Sequence, residues 1–117
     1  MDLNILSKIN QLESQIWCWA IIYYRLGDSI VTDRQYDLTS KKLQRMIQEY
    51  PDEFKASRHY HVFKDFEWVS GYDLPLYDPA MTRQAEFVLY VSKHGLEGYK
   101  DKCVNEKRRY RRWEKDV

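Results

Sequence analysis

The sequence predicts a mostly all-α protein, with an antiparallel helical hairpin followed by an aromatic loop and two further helices. Two long stretches repeat apolar residues at three- and four-residue steps, the spacing of one buried helix face. Capping and turn residues separate these stretches, and a length of 117 residues predicts a single domain. We expect the hairpin at residues 1–53, the aromatic loop at 54–77 and a helical region with a basic end at 78–117.

The hairpin is predicted from its boundary residues. A first helix over residues 3–26 should end at Gly27, which can adopt the left-handed backbone that terminates helices. Thr32 with Gln35 three residues later is a capping-box pattern, so the second helix should begin there. Pro51 should end it. Two such helices joined by a short turn form an antiparallel hairpin.

The aromatic loop is predicted to be irregular. Aromatic residues alternate roughly along it, and Gly71 and Pro75 are turn signals, so we expect a long connection with one short strand pair. Its aromatic content also matters, because ten Tyr, four Trp and four Phe exceed what so small a core absorbs. Phe63 and Phe66 are expected in the core. The weaker candidates for an exposed partner-binding surface are Trp68, Tyr72 and Tyr77.

The last two helices follow the loop. Asp78 and Pro79 fit the N-cap and first position of the third helix, and Gly95 should end it. Phe87, Tyr90 and Val91 supply its apolar stripe. A fourth helix should then run to residue 115.

Composition narrows the class of protein. A 44% hydrophobic and 32% charged chain has the balance of a globular protein. Cys18 and Cys103 lie far apart, which favours free thiols in a reducing compartment. The longest apolar run is too short to span a membrane. We therefore expect a cytoplasmic protein with no membrane partner. His59 and His61 form a His-x-His pair, but zinc needs four converging ligands, so no metal site is expected.

A group of tyrosines and aspartates surrounds the predicted hairpin turn. Two adjacent rings precede the turn and an Asp-x-x-Tyr-Asp pattern follows it: Tyr23, Tyr24, Asp33, Tyr36 and Asp37. A packed helical hairpin does not require phenolic hydroxyls beside carboxylates at its turn, so these five residues are candidates for a binding site. These residues could equally be caps and half-buried packing of a hairpin that binds nothing.

With Leu43, Met46 and Pro51, this pattern resembles the N-terminal Ia domain of NAD-dependent bacterial DNA ligases over residues 16–51. In that family the domain closes over the nicotinamide mononucleotide half of NAD. The resemblance implies that the five turn residues bind NAD, nicotinamide mononucleotide or a related nucleotide. Ser29 replaces the family's turn proline and Thr39 replaces a leucine. The Lys-x-Asp-Gly nucleotidyltransferase motif does not occur, so we expect no enzyme and no stand-alone ligase.

The C-terminal segment suggests a different function. Residues 98–117 contain eight Lys or Arg and four Asp or Glu. Cations alternate with rings that can stack on bases, at Lys107, Arg108, Arg109, Tyr110, Arg111, Arg112 and Trp113. The segment could also be a solvated helix end. The alternative hypothesis is an interaction or inhibitor protein of a virus or mobile element, located in the host cytoplasm. It would use the hairpin as a scaffold and bind a host protein, DNA or RNA through the aromatic loop and this basic helix.

Overall fold

A computed structural model describes residues 1–68 and 71–115, with side chains for residues 1–68 and 71–103. Within these residues the chain is all-α and contains no strand, which confirms the predicted fold class. The helices and one 3₁₀ turn follow in the order α1 Leu3–Tyr24, α2 Asp33–Glu49, α3 Pro51–Lys55, α4 Tyr60–Phe63, the 3₁₀ turn Gly71–Asp73, and α5 Pro79–Lys115.

The boundaries of the α1–α2 hairpin lie close to those predicted from the sequence. Helix α1 ends at Tyr24, two residues earlier than predicted, and Gly27 has a φ of 65°, the left-handed backbone expected where the chain leaves a helix. Thr32 forms a reciprocal capping box with Gln35 at the start of α2. The Gln35 amide donates to Thr32 Oγ1 at 3.1 Å, and the Thr32 amide donates to Gln35 Oε1 at 2.8 Å. Pro51 ends the run of α2 and opens the short helix α3.

The capping box should contribute measurably to stability. Replacing Thr32 with alanine leaves the Gln35 amide without its side-chain acceptor, and the expected loss is about 1 kcal/mol of unfolding free energy. Urea denaturation followed by circular dichroism measures it. Thr39→Ala, inside the same helix, is the matched control and should change stability by less. Equal losses in the two variants would contradict a capping role.

Helix α1 forms the centre of the molecule. It contacts α2, α3, the 3₁₀ turn and α5, which explains why its second half is apolar nearly all round. Cys18 is 2% exposed, and burial raises the pKa of its thiol to about 11. The buried apolar core consists of Ile9, Leu12, Ile16, Trp17, Cys18, Ala20, Ile21, Ile22, Leu43, Phe63, Phe66, Leu74, Leu76, Met81 and Ala85.

The strand pair predicted within residues 54–77 is wrong. This segment holds the end of α3, then α4 and the 3₁₀ turn, and no strand occurs in its described part. Its rings cluster instead of alternating across a sheet: Phe66 lies 5.6 Å from Phe63 and 4.8 Å from Trp68, between ring centroids. Phe63 and Phe66 are buried, as predicted. Contact among these three aromatic rings therefore stabilises this segment in place of a strand pair.

Helix α5 begins as the sequence predicts. Asp78 caps it, accepting a hydrogen bond from the Met81 amide at 3.0 Å. Gly95 interrupts it with a φ of 74°, so the described backbone has two helical parts there.

The apolar stripe predicted for this helix is not the face that packs in the core, although Tyr90 and Val91 are half-buried. Met81 and Ala85 are buried, and Val88 and Leu89 pack against the core. Phe87 is instead 37% exposed, and its ring contacts Tyr99 at 4.6 Å between centroids. The chain folds back after Gly95 and gives these rings another partner. The side chains of Lys107 to Trp113 lie outside those described.

Candidate functional site

A cleft opens where α1 ends and α2 begins. Its volume is about 280 Å³, near the lower end of the range for small-molecule sites. All five turn residues singled out in the sequence line it, and they come from the last turn of α1 and the first turn of α2. The full lining is Trp19, Ala20, Tyr23, Tyr24, Ser29, Val31, Thr32, Asp33, Tyr36, Asp37, Ser40, Trp68 and Gly71.

The tyrosines form an aromatic rim. Tyr23 and Tyr24 meet edge to face, with ring centroids 4.9 Å apart, and Tyr24 meets Tyr72 in the same way at 5.4 Å. Tyr23 is 53% exposed and Tyr24 40% exposed. Edge-to-face contact holds the rings in place while it leaves part of their faces accessible to a ligand.

The inner wall of the cleft contains two hydroxyls without protein partners. Tyr36 Oη and Ser40 Oγ are buried, and neither forms a hydrogen bond of acceptable geometry within the described residues. Burial and the neighbouring Tyr24 raise the pKa of Tyr36 to about 12, although the nearby Ser40 hydroxyl acts in the opposite direction, so the phenol is neutral at physiological pH. Buried hydroxyls normally have well-formed hydrogen bonds, and these two adjacent hydroxyls can form them with a ligand.

The cleft is electrostatically negative. Its lining holds two carboxylates, Asp33 and Asp37, and no lysine, arginine or histidine among the described residues. Asp37 Oδ2 lies 3.0 Å from Lys41 Nζ, an exposed pair on α2 that offsets its charge only weakly. A positively charged ligand is therefore favoured over an anion.

Two rings of the aromatic segment are exposed, as expected. Tyr72 is 67% exposed and Tyr77 is 79% exposed. The guanidinium of Arg25 lies 4.4 Å from the centroid of the Tyr77 ring, within cation–π distance. Trp68 differs from these two residues, because its side chain is half-buried and lines the cleft. Its backbone has a φ of 61°. A partner-binding role for these three residues stays a prediction.

The sequence pattern does not mark Trp19, Ser40 or Gly71 as residues of the cleft, although all three line it. Trp19 lies four residues before Tyr23, and Ser40 lies four residues after Tyr36, so helical spacing was a usable signal for both. Gly71 had no such signal. It reaches the cleft only through contact of the 3₁₀ turn with α1, at a separation of some fifty residues in sequence.

The predicted absence of a metal site stays a prediction. Among the described residues no three His, Cys, Asp or Glu side chains converge as a metal site requires. His59 packs edge-on against Trp17 at 5.1 Å between ring centroids, and burial lowers its pKa. No helix in the described part of the chain is long and apolar enough to cross a membrane.

Comparison with known families extends the resemblance seen in the sequence. A family model described as the DNA ligase-like, N-terminal NAD+-binding domain matches residues 3–62, just over half of the chain. The match includes the five turn residues and is wider than the segment 16–51. It does not include Trp68, Gly71 or Tyr72. Comparisons with curated proteins and with solved structures found no match. The chain belongs to the family of DNA ligase-like, N-terminal NAD+-binding domains.

Proposed function

We propose that this protein is a non-catalytic binding protein that takes nicotinamide mononucleotide, or the nicotinamide half of NAD, in the cleft. One observation carries the proposal. The five side chains that the sequence pattern marks as nucleotide-binding line a single cleft, and that cleft is aromatic and negatively charged. The matching family is one of NAD+-binding domains, which supports the same ligand.

The cleft fits the chemistry of an oxidised nicotinamide. The pyridinium ring is flat and cationic, so it gains both stacking and cation–π attraction from Tyr23 and Tyr24. Asp33 and Asp37 complement the positive charge and can accept hydrogen bonds from ribose hydroxyls. The neutral Tyr36 phenol and the Ser40 hydroxyl suit the ligand's carboxamide, which donates and accepts hydrogen bonds.

The proposal is for binding without catalysis. Transfer of an adenylyl group needs a nucleophile, and the sequence has no Lys-x-Asp-Gly motif to supply one. The described lining of the cleft likewise offers no lysine.

Asp37→Ala tests this function directly. We expect the affinity for nicotinamide mononucleotide to fall by at least about tenfold, because the change removes a carboxylate from the lining that would face the cationic ring. The thermal midpoint should hardly move, since the exposed Asp37–Lys41 pair contributes only about 0.3–0.5 kcal/mol. Amide shifts during titration measure the affinity.

Asp65→Ala, an exposed aspartate outside the cleft, is the matched control and should bind like the wild type. Reduced nicotinamide mononucleotide, whose ring carries no positive charge, should bind more weakly than the oxidised form. The absence of any saturable shift with millimolar oxidised ligand would rule out the proposed function. A large fall in the stability of Asp37→Ala would assign Asp37 to the fold.

The alternative role, as an interaction or inhibitor protein, stays a prediction. The exposed rings of Tyr72 and Tyr77 are compatible with a protein-binding surface. No contact in the described structure identifies a host protein, DNA or RNA as the partner of the basic helix.

A further inference from the structure

A second concavity lies beside the cleft and differs from it in chemistry. This polar groove has a volume of about 360 Å³ and runs along α1 towards its N-terminal half, with one wall from α5. Trp19, Cys18 and Val88 contribute its apolar surface. Its polar lining is Asn10, Gln11, Ser14, Gln15, Arg58 and Gln84.

The polar groove is rich in groups that both donate and accept hydrogen bonds. Carboxamide side chains offer an acceptor oxygen beside two donor hydrogens, an arrangement that matches the edge of a nucleobase. Ser14, Gln15 and Gln84 make no side-chain hydrogen bond within the described part of the chain. Gln84 is exposed and Ser14 and Gln15 are half-buried, so their polar atoms are accessible to a ligand from solvent.

One cation is positioned at this groove. The backbone amide of Arg58 donates to Asn10 Oδ1 at 2.8 Å, which ties this segment to α1. The Arg58 side chain is exposed and forms no ion pair with a described carboxylate. The groove's described lining contains no acidic residue, which is the reverse of the cleft. An unpaired guanidinium among uncharged amides suits a phosphate.

The two concavities are continuous along one side of α1. Gln11, Gln15, Trp19 and Tyr23 follow at steps of four residues, so their side chains form one row on the helix surface. The first two line the polar groove, Tyr23 lines the cleft, and Trp19 lines both. The half-buried indole of Trp19 is the shared wall, available for stacking with a base.

We propose that the polar groove is a subsite for a purine nucleoside monophosphate, with Arg58 on the phosphate and the amides on the base. The ligand is either free AMP or the adenylate half of NAD. The second form rests on the proposed function, because the nicotinamide half must then occupy the cleft. In this arrangement the cationic ring of the dinucleotide lies beside the carboxylates of the cleft, and its adenylate half lies in the groove that Arg58 lines.

AMP, nicotinamide mononucleotide and NAD are the three probes, titrated separately into the full chain. Side-chain amide signals of Gln11, Gln15 and Gln84 and the Trp19 indole signal report on the polar groove by NMR. AMP should shift these signals saturably. NAD should bind at least about tenfold more tightly than nicotinamide mononucleotide. Arg58→Gln should weaken AMP and NAD about tenfold and leave nicotinamide mononucleotide unchanged. Arg45→Gln, an exposed arginine on α2 outside both concavities, is the matched control.

The outcomes separate this inference from the proposed function. If AMP gives no saturable shift and NAD binds no better than nicotinamide mononucleotide, the subsite is overturned while the cleft keeps its ligand. If AMP shifts the groove signals and nicotinamide mononucleotide binds nowhere, the subsite stands and the nicotinamide function falls. If inorganic phosphate alone shifts the groove signals as much as AMP does, the proposed contacts between the amide side chains and the base are contradicted. Loss of AMP binding in Arg45→Gln would overturn the role of Arg58.

Discussion

Replacing Glu13 with glutamine is expected to make the protein more stable above pH 7, by about 3 kcal/mol, and to flatten its stability between pH 4.5 and 7. Glu13 is 0% exposed at the interface of α1 with the connection between α3 and α4. It accepts hydrogen bonds from Ser57 Oγ at 2.9 Å and from the His59 amide at 3.4 Å. Burial raises its pKa from 4.5 to about 7, although both hydrogen bonds act in the opposite direction.

The direction of the pH effect follows from this shift. The folded protein binds the Glu13 proton more tightly than the unfolded chain does. The contribution of Glu13 to stability is therefore fully present below pH 4.5 and is lost as the pH rises to about 7. Glutamine imitates the protonated form, since its oxygen can accept from the His59 amide and its nitrogen can donate to Ser57 Oγ.

Urea denaturation at several pH values between 4 and 8.5, in wild type and variant, measures the effect. His59 has a lowered pKa, so its own contribution is lost as the pH falls, and the difference between the two proteins isolates Glu13. Glu49→Gln, an exposed position on α2, is the matched control and should keep the wild-type profile. Parallel pH profiles for wild type and Glu13→Gln would show that the buried carboxylate does not titrate in this range.

Gly71→Ala is expected to lower stability by about 1–3 kcal/mol and to weaken ligand binding in the cleft. A Cβ at this position would lie 2.7 Å from the Cβ of Ala20 and 2.7 Å from Tyr36 Oη, both too close. Neither neighbour can yield easily, because Ala20 belongs to the buried face of α1 and the Tyr36 hydroxyl is buried. Thermal unfolding and titration with nicotinamide mononucleotide measure the two effects.

A double variant tests the cause of that loss. Tyr36→Phe removes the hydroxyl that the new methyl group would meet, so Gly71→Ala combined with Tyr36→Phe should be less destabilised than the two single changes together. The Ala20 contact remains, so the rescue is partial. Asp73→Ala, an exposed residue of the same 3₁₀ turn, is the control and should have little effect. Strict additivity in the double variant would show that Gly71 and Tyr36 are not in contact.

Local features of the chain were predictable because they depend on neighbours in sequence. The capping box at Thr32, the left-handed Gly27 and the break at Gly95 each follow from the backbone preferences of a few adjacent residues. The five cleft residues also belong to this class. They lie on two helix ends joined by a short turn, so the spacing that marks them brings them together.

Features that depend on distant residues were mispredicted or missed. The sequence predicts the apolar stripe of α5 at Phe87, Tyr90 and Val91, but more than one face of that helix carries apolar residues at helical spacing. Only contact with α1 selects Met81 and Ala85 for burial. Likewise, the strand pair was wrong because the alternation of rings in residues 54–77 does not reveal that they cluster on one another.

The sequence by itself determined the all-α class, the hairpin and the set of tyrosines and aspartates at its turn. Tertiary structure decided what surrounds that set. It places Gly71 against Tyr36, leaves the Tyr36 and Ser40 hydroxyls without partners, and opens a polar groove beside Trp19. The physical reason is how far apart in sequence the interacting residues lie. Helix ends and turns are governed by interactions within a few residues, whereas walls, burial and charge complementarity arise only when α1, α5 and the 3₁₀ turn pack together.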